Sequence, residues 1–340
     1  MVSKALAVVG VVVSILFETS FAFPSRGSSV GNIRARESSF EQDPATYDDA
    51  CNIGFCAIMG ATIGGWGAES KVVSTQEELQ SSVTGSDAAV VVVQGSISGS
   101  GTLVIGSGKT IVGLPGSSVN GIELVLSGSR NVIVRNLKVT KPAHGSAAVT
   151  IENARSIWID HLEFSSGSKL NITQGSDYVS ITNNLFQDHG DTTPAASVGH
   201  SDANGEQDKG KLHVTFGRNH FKNVKNAVSF RFGTGHLFNS YYESFENAIN
   251  TRMGAEILVE ASVFSSNSAS KAVLSSESVE NGFATIKDVV LGESTATAPA
   301  GDMTADSLPY PYDWYMYDKE TVQSAVAKYA GQTLEFLVWD

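Results

Sequence analysis

The feature that most constrains this chain is an internal repeat. Apolar alternation, a polar turn and then an apolar or aromatic residue recur in NVIVRNLKV (131–139), SIWIDHLEF (156–164), YVSITNNLF (178–186), VTFGRNHF (214–221), HLFNSYY (236–242) and EILVEASVF (256–264). Their last residues, Val139, Phe164, Phe186, Phe221, Tyr242 and Phe264, are separated by 25, 22, 35, 21 and 22 positions. AVVVVQGSI (89–97) and TLVIGSGKTIVGL (102–114) have the same texture. A unit this short cannot bury its apolar face alone, and stacking such units in parallel creates one continuous core. No helical period separates the copies and no leucine-rich pattern is present, so the expected fold is all-β, a single-stranded right-handed parallel β-helix. Asn183, Asn184, Asn219 and Asn239 are expected at equivalent turns, where Asn tolerates left-handed backbone and can bond to the next rung. The 35-residue step equals one rung plus an excursion, 187–210, expected on the binding face.

The ends of the chain read differently. Lys4, the 13-residue apolar run Ala5 to Phe17, and small residues at Ser20 and Ala22 spell a secretory signal over 1–22. The run is short for a membrane span, and no second one follows, so a secreted protein with no membrane partner is expected. Residues 23–50 are polar and aperiodic, which predicts a flexible leader ahead of a body over 51–340. In an oxidising compartment Cys51 and Cys56 are expected to form a local disulfide; two cysteines without a neighbouring His make an incomplete zinc site. Thr75, with Glu78 three residues on, predicts a capped helix over 75–83. Residues 317–329 read as a short C-terminal surface helix, preceded by an aromatic loop, 309–317, packed on the outer wall. A net charge of −12 argues against a nucleic-acid partner, which needs a basic excess. A monomer is expected.

The densest polar stretch is Val198 to Ala255. Within and before it, WIDH (158–161), ITQGSDYVSITNN (172–184), VGHSDANGEQDKGKLHVTF (198–216), SFRFGTGH (229–236) and NTRMGA (250–255) resemble the pectate lyase and pectin lyase family, particularly its secreted fungal members. The similarity runs from about Gly54 to Tyr312. It implies a pectin lyase-like β-helix and β-elimination of α-1,4-linked polygalacturonate, the backbone of pectic polysaccharide. In that reaction a base takes the proton beside the C5 carboxylate and the C4 oxygen leaves. The family neutralises the carboxylate with calcium and uses an arginine as base.

Transferred residue by residue, the resemblance matches Asp160 to a calcium ligand. The segment resembling DGLLDIT reads GSKLNIT here, so Gly167 and Asn171 replace two calcium aspartates. One carboxylate is a poor site for a cation that takes six to eight oxygens. The base position holds Asn226; the adjacent Lys225 is a possible substrate-side cation, although successive strand residues face opposite ways. Arg231 matches the arginine that binds substrate carboxylate, suited to a bidentate pair. A family lysine is replaced by Pro194. His200, Ser201 and Asp202 adjoin in sequence but read as structural, as do His161, His189 and His213. Arg252 and Lys211 read as partners of acidic side chains. Asn171-Ile172-Thr173 is the one N-glycosylation sequon, and enclosure in a rung favours an unmodified Asn171. Three readings follow: a pectate lyase, a degenerate β-helix that binds pectin without cleaving it, and a calcium-independent pectin lyase. The third fits poorly, because pectin lyases keep the base arginine and line the cleft with aromatics, whereas Trp66, Trp158, Trp314 and Trp339 do not cluster in the repeats.

Overall fold

The computed structural model describes residues 44–143, 147–165, 167–310, 312 and 314–336. The expected signal, 1–22, and leader residues 23–43 lie outside the described residues.

Each sequence repeat becomes one turn of a parallel β-solenoid. Ten strands, from Ser70–Val73 through Arg155–Asp160 to Phe283–Lys287, form one continuous parallel face. Shorter strands build two further faces. One carries Glu163–Phe164 and Leu185–His189, the other Val149–Glu152, Leu170–Thr173 and Ala196–Val198. The two 12-residue strands His220–Arg231 and Tyr241–Arg252 run from one of these faces onto the other without a break. They thereby join the two faces at these rungs.

The repeat ends predicted from sequence are in register. Val139 pairs with Phe164, Phe164 with Phe186, Phe186 with Phe221, Phe221 with Tyr242, and Tyr242 with Phe264. Their rings stack inside the core at centroid distances of 4.5, 4.8, 4.9 and 4.7 Å, within 6° of parallel. The strand spacing of a sheet imposes that distance, and each stacked pair adds about 0.5–1.5 kcal/mol beyond the area it buries.

The four asparagines occupy two adjacent columns rather than one. Asn136, His161, Asn183, Arg218, Asn239 and Ala261 take left-handed φ between 40° and 58°. Asn184 and Asn219 sit one residue later and form a buried ladder. Asn184 accepts from Leu162 N at 2.8 Å, and Asn219 Oδ1 accepts from Asn184 N at 2.9 Å. The first column needs a tolerated backbone; the second needs an amide that is both donor and acceptor.

The helix Gln76–Val83 is capped by Thr75 in a capping box with Glu78, and Cys51 is bonded to Cys56. The C-terminal helix Lys319–Tyr329 lays Val322 and Val326 on Tyr241 and Val263. Ahead of it, Tyr312 and Trp314 pack over His236 and Phe238 on the ten-stranded face. Residues 44–50, expected to be flexible leader, are fastened to the body: Ala45 bridges Phe336, and Asp49 meets Arg135 at 3.0 Å. Among the described residues no helix is long and apolar enough to cross a membrane.

Candidate functional site

The excursion in the repeat, 187–210, builds a groove. It is not all loop: Ala196–Val198 inserts as a strand between Leu170–Thr173 and His220–Arg231. Residues 192–194 rise beside it, and His200 lies exposed at its far end. The groove has a volume of about 430 Å³. Its floor is a row contributed one residue per rung, in which Asn171, Ser197, Ser229 and Asn250 are successive register partners. Asn226 and Asn247 form a second pair.

Asn226, expected from the resemblance at the base position, is an amide with one donated and one accepted bond. Asn226 donates through Nδ2 to the carbonyl of Thr192 at 2.8 Å and accepts from Asn247 Nδ2 at 2.8 Å. A carboxamide has no basic lone pair able to take a proton from carbon. Lys225 does not line the groove. Its ammonium pairs with Glu246 at 3.4 Å, so the expectation that it faces substrate is corrected by the alternation of strand side chains.

Arg231 does line the groove. Its Nε donates to Asp202 Oδ1 at 2.7 Å and one terminal nitrogen to Ser229 Oγ at 3.2 Å. Asp202 is held in turn by Ser278 Oγ and by Val279 N, at 2.7 and 3.2 Å. Burial by itself would raise the Asp202 carboxyl, but these bonds, led by that from Arg231, hold it below the usual carboxylate range. Ser201 Oγ accepts from Ala203 N and caps the turn Asp202–Asn204. His200, Ser201 and Asp202 therefore form no nucleophilic relay.

The structure also places in the groove Arg252, expected from sequence as a partner of an acidic side chain, and Lys169, which the sequence did not mark. Arg252 is the register neighbour of Arg231 on the next rung, and its guanidinium meets Glu277 at 2.9 Å. Burial first, then the like charge of Arg231, shifts Arg252 downward from the ordinary arginine value. Lys169 pairs with Asp191 at 3.0 Å. Burial would raise Asp191, but the Thr193 hydroxyl and Lys169 lower it. The intact NTRMGA motif was the available signal for Arg252. Nothing local marked Lys169, which reaches the groove only because its rung lies beneath the excursion.

Asp160 is not part of this site. It sits on the ten-stranded face, 1 % exposed. Its Oδ2 meets Arg135 Nε at 2.9 Å and His161 Nδ1 at 2.8 Å, and its Oδ1 accepts from Thr182 Oγ1 at 2.7 Å and Asn183 Nδ2 at 2.9 Å. Burial pushes this carboxyl up, but His161 and Arg135 outweigh it and hold it well below the usual range. Both oxygens are committed, so Asp160 is a tie between rungs and not a calcium ligand. Gly167 has no side-chain donor and does not line the groove, and Asn171, which does, offers only an amide. The carboxylates of Asp191, Asp202 and Glu277 are each engaged by a cation. Among the described residues no three His, Cys, Asp or Glu are grouped to hold a metal. The residues present do not fit calcium.

A family profile described as pectate lyase matches residues 43–334. Pectate lyase B of Colletotrichum gloeosporioides is 39% identical over 305 residues, 86% of this chain and 88% of its own. Pectate lyase A of Aspergillus niger is 38% identical over 305 residues, 86% of this chain and 90% of its own. Among solved structures, a thermostable pectate lyase superposes with a TM-score of 0.70 at 19% identity, over 84% of this chain and 98% of its own. A Bacillus pectate lyase in complex with trigalacturonate gives 0.67 at 20% identity, over 83% and 98%.

Proposed function

Because the chain belongs to the pectate lyase family, we propose that it is a secreted, monomeric pectate lyase-like protein whose groove takes the galacturonan backbone of pectin. The observation that carries this reading is Arg231. It stands in the groove with its position fixed by Asp202 and Ser229, so its remaining guanidinium edge is presented to a sugar. A guanidinium held by two partners loses little freedom when it binds a third, which favours recognition of a carboxyl-derived oxygen. The Bacillus relative captured with trigalacturonate supports the choice of polymer. The family reaction is β-elimination: the C5 proton goes to a base, a C4–C5 double bond forms, and the glycosidic oxygen leaves.

A second reading for the chemical step is favoured by Asn226. At the base position stands an amide bonded to Asn247 and Thr192, so the protein binds the polymer and leaves its bonds intact. One experiment tests both. Purified protein is mixed with de-esterified and with methyl-esterified galacturonan, with and without calcium. Polymer binding is measured by affinity electrophoresis, and the unsaturated product by its ultraviolet absorbance. Binding with no absorbance growth supports pectin binding without cleavage. Growth supports a working lyase, and its dependence on calcium separates a pectate from a pectin lyase. Absence of binding to either polymer removes the galacturonan reading.

A further inference from the structure

The long cations of this groove are paired internally. Each of the three carries a counter-ion, Lys169 with Asp191 at 3.0 Å, Arg231 with Asp202 at 2.7 Å and Arg252 with Glu277 at 2.9 Å. Between them lie amides and hydroxyls, the row Asn171, Ser197, Ser229, Asn250 and the bonded pair Asn226–Asn247. A cation paired at hydrogen-bond distance presents a dipole to an incoming ligand. A dipole's field falls faster with distance than that of a bare charge, and salt screens what remains. A fully ionised polyuronate brings one negative charge per sugar. Here the lining presents the Glu277 carboxylate, and each of the three long cations already carries a counter-ion.

Amides and hydroxyls suit a different ligand. Each side-chain amide offers both a donor and an acceptor, matching sugar hydroxyls and ester carbonyls, which need no counter-charge. Arg231 also satisfies an ester carbonyl, because it donates hydrogen bonds whatever the charge on the acceptor. We propose that this groove selects an uncharged stretch of glycan over de-esterified polygalacturonate. Two sources carry that chemistry, methyl-esterified galacturonan and a neutral hexose polymer. The proposal rests on the reading that the groove is the polymer site.

The test is a binding comparison on the full secreted chain. Affinity electrophoresis is run with de-esterified polygalacturonate, highly methyl-esterified galacturonan and an uncharged galactan, each at low and moderate salt. The expected result is retention by an uncharged polymer, insensitive to salt, with polygalacturonate bound at least about tenfold more weakly. The uncharged polymer that is retained identifies the source. Equal or tighter binding of polygalacturonate overturns the proposal while leaving pectin binding in place. Retention by the galactan alone removes the pectic reading and keeps the charge argument. Retention by none overturns both.

Two variants probe the cause. The Glu277 side chain is 78% exposed, so Glu277→Gln leaves the fold alone and frees Arg252. Polygalacturonate binding then rises about threefold, the scale of one exposed ion pair. No rise overturns the argument from paired cations. Asn247→Ala removes half of the amide pair and weakens the uncharged polymer by about three- to tenfold. Unchanged binding, with the unfolding midpoint unchanged, places the polymer outside this groove and overturns the proposal.

Discussion

Replacing Asp160 by Asn separates a structural carboxylate from a metal ligand. The side chain is 1 % exposed and receives four polar partners, two on each oxygen. An amide keeps one acceptor, for Thr182 and Asn183, but turns an NH2 toward Arg135 Nε and His161. Arg135, its side chain 7% exposed, keeps only the half-exposed Asp49 as counter-ion. Breaking a buried pair from one side costs about 3–5 kcal/mol, because the remaining charge stays desolvated. In a domain of this size that lowers the melting temperature by about 6–10 °C. The assay is thermal unfolding followed by circular dichroism, with and without calcium. The loss is expected to be independent of calcium. The pH dependence has a definite sign. The folded carboxyl sits below its unfolded value of about 3.9, so its stabilisation is complete above that pH and is lost as pH falls toward the folded value. The gap between the two proteins therefore narrows in acid. A variant melting within about 1 °C of the parent refutes the reasoning. So does a calcium-dependent rise in the parent that the variant lacks.

Asn226→Arg alone is expected to yield no unsaturated product above the background of buffer and polymer, because the carboxylates in and beside the groove, Glu277, Asp191 and Asp202, remain engaged by cations and do not fit calcium; robust elimination by this single variant, read by ultraviolet absorbance, counts against that argument. Phe221→Ala removes a ring stacked between Phe186 and Tyr242 and costs about 3–5 kcal/mol in chemical denaturation. His189 is buried, and burial lowers its imidazole to about 4. Below the unfolded value of about 6.5 the unfolded chain binds a proton that the folded chain refuses, so stability falls by up to about 3 kcal/mol as pH drops from about 6.5 to 4. His189→Phe, measured by denaturation across that range, loses this slope.

The repeat was legible because a solenoid writes its fold into local sequence. Each rung needs inward apolar residues at alternate positions, and the same slot recurs once per turn. Phe164, Phe186, Phe221 and Tyr242 could therefore be aligned from spacing alone, and they stack as the spacing required. Caps and turns are equally local, as Thr75 with Glu78 shows. The family motifs pointed to Arg231 and Asn226, and both line the groove.

Asp160 shows where local reading stops. Its motif marks a position in the chain, but the direction in which a rung residue points depends on the solenoid face that carries its strand. That face is set by turns on neighbouring rungs, and it put Asp160 beside Arg135 and away from the groove. The charge state of the groove was likewise decided in three dimensions. Lys169 and Asp191 lie about one rung apart, and Asp202, within the excursion, meets Arg231 on the following rung, so no short sequence window displays them as pairs. The sequence by itself determined the period, the core and the family, because these depend on residue type at fixed spacing. Only the tertiary structure decided which polar side chains meet across rungs, because hydrogen bonds and ion pairs act over a few ångströms of space and are indifferent to distance along the chain.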